Sequence, residues 1–172
     1  GTWTVREARA FCHAVEDCQL GWLEEPVTPD DVMGQAELRA GTSVPIACGE
    51  SEFTRFAFRD LINARAVDIL QPDLSIAGGI TEGIRIEALA SAHQLGFAPH
   101  LWGGAMTFAS GLHLAAAAST GFILEYSLGA NPMLHELVVE DFTVVDGYLD
   151  IPDRPGLGVT VDEEFLAHHT KV

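Results

Sequence analysis

The chain has 172 residues, with 25 Asp and Glu against 9 Lys and Arg and a formal net charge of −16. Its 48% hydrophobic and 20% charged residues make a globular composition, not a disordered acidic tail, with length enough for a sizeable core. The acidity argues against nucleic-acid and anionic membrane partners, which need a basic face, and no apolar run approaches the roughly 20 residues of a spanning helix.

In chain order, residues 4–18 read as a helix, with Thr4 before Val5 and then Ala8, Phe11, Cys12 and Val15 at helical spacing. Residues 20–23 follow as a short strand, and Pro29-Asp30-Asp31 opens a second helix with an acidic first turn. Residues 44–48 are the next strand, 53–63 a helix and 67–70 a strand. A helix over 80–95 is expected to stop at Gly96 as its C-terminal glycine. Residues 97–99 are a brief strand, 105–119 an Ala-rich helix and 121–124 a strand. Beyond Glu125, residues 138–145 and 148–151 form a hairpin around Asp146-Gly147, and a Pro- and Gly-rich tail follows. Helices alternating with short apolar strands predict an α/β fold with a parallel sheet. A soft boundary near Pro132 divides residues 1–131 from a C-terminal strand and loop segment, 132–172.

Cys12, Cys18 and Cys48 form no C-x-x-C pair, and no charged-then-apolar leader follows Gly1. A reduced, cytoplasmic protein is the expectation, with the cysteines as core residues.

Each strand ends in a polar residue: Glu24 with Glu25, Glu50, Asp73, His100 and Glu125, in steps of 26, 23, 27 and 25 residues from Glu24 onward. A βα unit of an eight-fold barrel takes about 30 residues, and such repeats gather strand ends at the C-terminal face where barrel active sites lie. Taken singly, each has a plainer role: a solvated turn for Glu24 and Glu25, a first-turn acid for Glu50, a cap for Asp73, a core histidine for His100, a buried ion-pair partner for Glu125. The common period favours a shared site. Gly78-Gly79 lacks the Lys and spacing of a phosphate loop and reads as a tight turn. His113 is expected to pack, and His168 and His169 to lie at the surface.

Trp22-Leu23-Glu24-Glu25-Pro26, Gly49-Glu50, Gln71-Pro72-Asp73 with Gly78-Gly79, Pro99-His100-Leu101 and Leu124-Glu125-Tyr126 resemble the enolase superfamily, in its mandelate racemase subgroup. Arg154-Pro155-Gly156-Leu157-Gly158 is similar to that subgroup's C-terminal segment. The resemblance implies a partial (β/α) barrel, about strands four to eight, with a C-terminal segment that packs back toward a capping domain. The capping domain, the first barrel strands, one Asp metal ligand and the Lys-x-Lys base motif have no counterpart in the chain.

By that resemblance Glu24 and Glu50 are ligands of Mg²⁺, and Asp73 orients His100 as general base. Glu125 is the acid that hydrogen-bonds the enolate oxygen and, in an apolar site, stays protonated. Trp102 and Met106 shape the substrate pocket or pack in the core. The implied activity is abstraction of the α-proton of a hydroxylated carboxylate through a stabilised enolate, most simply dehydration of an acid sugar. Racemisation or epimerisation at the same residues is the alternative within enzymes; a catalytically incomplete fragment with a structural or oligomer role is the alternative outside them. The expected partners are a small carboxylate substrate and, as a homo-oligomer, further copies of the chain.

Overall fold

Thr4 and Glu7 close a capping box at the start of α1 (Val5–Ala14): Thr4 Oγ1 accepts the Glu7 N–H, and Glu7 Oε2 accepts the Thr4 N–H at 2.8 Å. The computed structural model describes residues 1–170. After α1, a 3-10 turn occupies Glu16–Cys18, and Gln19 in the left-handed region turns the chain toward the sheet. The single helix expected over 4–18 is thus two pieces.

Strand and helix then alternate: β1 (Leu23–Glu24), α2 (Val32–Ala40), β2 (Ile46–Cys48), α3 (Thr54–Asn63), β3 (Ile69–Leu70), α4 (Leu74–Ala77), α5 (Gly79–Ala92), β4 (Gly96–Phe97) and α6 (Ala105–Ala117). The sheet runs β1-β2-β3-β4 with every pair parallel. Asp31 caps α2 by accepting the Gly34 N–H at 2.8 Å, so the acids of Pro29-Asp30-Asp31 precede the helix instead of filling its first turn.

Further sequence expectations need correction. α5 stops at Ala92, and Gln94, not Gly96, takes the left-handed conformation. Gly96 is a β4 residue, where a Cβ would come within 3.0 Å of Ile69 and 3.1 Å of Phe122. Residues 121–124 are no strand; only Gly121 bridges, in parallel, to Phe97. That segment pairs on one side alone, and Phe122 and Ile123 stand exposed. The described structure is therefore a partial barrel: four parallel strands, extended by parallel bridges at Gly121 and between Asp73 and His100, with helices packed against the sheet.

Alternation along the strands sorts the side chains. Cys48, Leu70 and Phe97 point into the helix layer and pack with Phe58, Leu61, Ile86 and Leu114. Leu23 and Ile46 pack with Ala8, Cys12 and Leu38 of α1 and α2. Ala47, Ile69 and Ala98 form a separate inner layer with Trp22. Of the cysteines, Cys12 and Cys48 are buried and Cys18 is exposed.

Beyond the sheet, α7 (Pro132–His135) is capped by Asn131. β5 (Val144–Val145) and β6 (Tyr148–Leu149) make a hairpin through Asp146 and Gly147, both at positive φ, as an Asp-Gly turn requires. The hairpin is shorter than expected, because Val138 pairs with Val161 and not within it. α8 (Glu163–His169) follows, with His168 and His169 exposed. His113 packs toward the tail, its Nε2 3.2 Å from the Leu157 carbonyl oxygen. Among the described residues, no helix is long and apolar enough to cross a membrane.

Phe58, fully buried behind β2, should make Phe58→Ala cost about 3–5 kcal/mol in chemical denaturation. Phe56, half exposed beneath Arg55, should cost below about 1 kcal/mol when replaced by Ala. Equal losses at the two positions would contradict this assignment of the core.

Candidate active site

The inner layer continues past the strand ends into polar residues. Counting by twos from Ile69 leads to Gln71 and Asp73, and from Ala98 to His100. Asp73 and His100 bridge in parallel beyond β3 and β4, with the His100 N–H donating to the Pro72 carbonyl at 3.2 Å. This extension sets the two side chains side by side.

His100 Nδ1 lies 2.9 Å from Asp73 Oδ2. Asp73 is nearly buried, and its other oxygen accepts the Ser75 N–H at 2.7 Å as the cap of α4. Burial alone would raise the Asp73 pKa; the hydrogen bonds from His100 and Ser75 outweigh it and hold the carboxyl below its ordinary range. His100 Nε2 stands 3.4 Å from Glu50 Oε2. Burial disfavours the imidazolium, but the Asp73 hydrogen bond and the charges of Glu125, Glu50 and Asp73 prevail and raise the His100 pKa. Glu125 Oε2 accepts the Leu101 N–H at 2.6 Å, which ties the last strand-end acid to the residue after His100.

Glu24 projects from the same inner face at the end of β1 and is exposed. Two donors that sequence reasoning did not single out hold its Oε2: the Gln71 Nε2 at 2.7 Å and the Trp22 indole N–H at 3.2 Å. Both belong to the motifs already quoted, and both fall on the inner face by alternation from Glu24 and Asp73, which is the signal that could have marked them. Gln71 is almost fully buried, and its carbonyl oxygen has no partner among the described residues.

Glu50 reaches the inner face by a different route. Simple alternation from Ala47 would send it outward, but Gly49 has φ +132 and breaks the alternation. A Cβ at Gly49 would sit 2.5 Å from the Phe58 ring, on the helix side. The next side chain, Glu50, therefore turns inward to His100.

The structure thus gathers Asp73, His100 and Glu50 in one hydrogen-bonded or ion-paired row, with Glu125 one residue beyond and Glu24 at the neighbouring strand end. Trp102 is largely exposed on the loop after His100. Met106 packs against the cluster of Ala105, Leu137 and Val138. A separate apolar groove of about 430 Å³ lies between α6 and the hairpin, lined by Phe122, Leu124, Tyr126 and Tyr148 among others, and contains none of the candidate site residues.

Glu24 and Glu50 offer carboxylate oxygens with no soft donor, which suits a hard divalent cation such as Mg²⁺. They fit in chemistry and fall short in number: among the described residues no three His, Cys, Asp or Glu side chains are gathered closely enough to hold a metal ion.

Comparison with known proteins shows a shared family and fold. The family described as enolase C-terminal domain-like matches residues 1–165. D-galactonate dehydratase of Xanthomonas euvesicatoria pv. vesicatoria (strain 85-10) is 38% identical over 165 residues, 92% of this chain and 43% of that protein. D-galactarolactone cycloisomerase of Agrobacterium fabrum (strain C58 / ATCC 33970) is 34% identical over 172 residues, 95% of this chain and 46% of that protein. The crystal structure of the 3,6-anhydro-D-galactonate cycloisomerase from Zobellia galactanivorans matches with a TM-score of 0.91 and 34% identity, over 97% of this chain and 47% of that one. The chain spans less than half the length of the curated relatives it matches.

Asp73→Asn removes the charge beside Nδ1 and should move the His100 titration midpoint, followed by NMR of its ring protons, to lower pH. An unchanged midpoint would contradict the coupling described here.

Proposed function

The chain belongs to the enolase C-terminal domain-like family, and from that premise we propose that it supplies the base and part of the cation site for removing the α-proton of a hydroxylated carboxylate, with dehydration of an acid sugar as the overall reaction. The observation that carries the reading is His100, fixed by Asp73 through Nδ1 and facing the Glu50 side through Nε2. The names of the relatives, a D-galactonate dehydratase and two cycloisomerases of galactose-derived acids or lactones, support the substrate class.

Asp73 accepts from Nδ1–H, so in the neutral imidazole the lone pair resides on Nε2, the atom directed into the site. Nε2 takes the α-proton; the C–H bond pair moves toward the carboxylate and Asp73 stabilises the resulting imidazolium. Glu24 and Glu50 would hold a divalent cation, which supplies positive charge against the substrate carboxylate and offsets the Glu50 charge that faces His100. Glu24 enters with its direction already set by Gln71 and Trp22, which lowers the ordering cost of binding. Glu125, anchored at Leu101 through Oε2, would donate to the oxygen on which charge builds through a proton on its other carboxyl oxygen. For dehydration, the β C–O bond then breaks and the departing hydroxide takes the proton from Nε2, leaving water and a neutral His100. One histidine therefore serves as base and then as acid. Racemisation would require a second base across the α-carbon.

In deuterated buffer with Mg²⁺, a panel of aldonic and aldaric acids should show α-proton exchange, and His100→Asn should slow it by at least roughly 100-fold. Absence of exchange across the panel in folded protein removes the reading. Glu24→Gln and Glu50→Gln should each weaken Mg²⁺ binding measured by calorimetry; unchanged affinity in both would refute the ligand assignment.

A further inference from the structure

Glu25 is a buried acid with no role in the steps above. It follows Glu24 at the end of β1, is 7% exposed, and forms no ion pair among the described residues. Its backbone has φ +34, an uncommon conformation for a residue with a side chain. A buried carboxylate without a cation is costly and needs a compensating contact.

That contact is with the turn that carries Glu50. The Glu25 N–H donates to the Ala47 carbonyl at 3.0 Å, and Glu25 Oε1 accepts the Gly49 N–H at 3.1 Å. Gly49 is the residue whose φ of +132 reverses the inward and outward alternation along β2. Glu25 thus grips the backbone of the turn that sends Glu50 to the inner side. Phe58 closes the same space, leaving no room for a side chain at residue 49.

We propose that Glu25 is a positioning residue that fixes the Gly49 turn and so presents the Glu50 carboxylate to the cation site. The inference rests on the reading of Glu24 and Glu50 as cation ligands. Its agent is a hydrogen-bond acceptor at the right reach, not a negative charge, because Gly49 offers a neutral N–H.

The test compares Mg²⁺ affinity by calorimetry in the full 172-residue chain and in Glu25→Gln, Glu25→Ala and Glu25→Asp, with thermal unfolding recorded for each. Gln keeps the acceptor and should stay within about threefold of the unsubstituted protein. Ala loses the acceptor and Asp loses the reach; both should weaken binding roughly 10- to 100-fold, the range for partners that orient metal ligands. Asp keeps the charge and shows the effect even where the Ala variant does not fold. Glu25→Asp binding as tightly as the unsubstituted protein would overturn the proposal, whatever the change in unfolding temperature. Glu25→Gln weakened as far as Glu25→Asp would overturn it, because the acceptor that Gln retains would then not hold the turn. A folded, unsubstituted chain that takes up no Mg²⁺ would overturn the cation-site reading itself, and this inference with it.

Discussion

The parallel register between β3 and β4 runs on past the strands to Asp73 and His100, and the arrangement of the site depends on it. Hydrogen bonds of the ladder lock Ala98 to Leu70 and His100 to Pro72, so that both side chains emerge on the inner face together. A slip of one residue would send His100 into the helix layer and replace it with Pro99, because strand side chains alternate with a period of two. Buried apolar residues oppose that slip: Leu70 and Phe97 would have to leave the core they share with Phe58 and Ile86. Packing behind the sheet thereby determines which groups face one another in front of it.

Electrostatics follow from that geometry. His100 lies among three carboxylates, and their attraction for the imidazolium exceeds the burial penalty. Asp73 is committed on both oxygens, to His100 and to Ser75, so it is oriented before any ligand arrives. Glu24 is exposed but held by Gln71 and Trp22, and Glu50 is partly exposed beside His100. β1 is an edge strand here, and the exposed Phe122 and Ile123 mark the opposite edge. Between these edges Trp22 packs on Ala47, Ile69 and Ala98 and meets the Phe122 ring edge-on at 6.0 Å, so the inner layer of the sheet is buried.

Much of this was legible in the sequence. The regular recurrence of Glu24, Glu50, Asp73, His100 and Glu125 reflects the βα repeat, and the family resemblance drew on the same residues. Alternation alone accounts for Glu24, Asp73 and His100. It does not account for Glu50, whose direction depends on the φ of Gly49, nor for Glu25, whose carboxyl clasps a backbone N–H that no pattern of side chains reveals. The expected strand over 121–124 failed for a related reason: its apolar residues match a strand, but strand formation needs hydrogen-bonding partners, and only Gly121 finds one. Gly96 looked like a helix terminator because glycine favours that role, whereas crowding by Ile69 and Phe122 explains it within β4.

A crystal structure of the protein soaked with Mg²⁺ and a slowly reacting aldonate would test the central claim most directly. The account predicts a cation bound by the Glu24 and Glu50 carboxylates, the aldonate carboxylate against it, and the α-carbon within hydrogen-bond range of His100 Nε2. An aldonate seated instead in the groove beside Phe122 and Tyr148, with Glu50 still turned to His100 and no cation beside it, would contradict it.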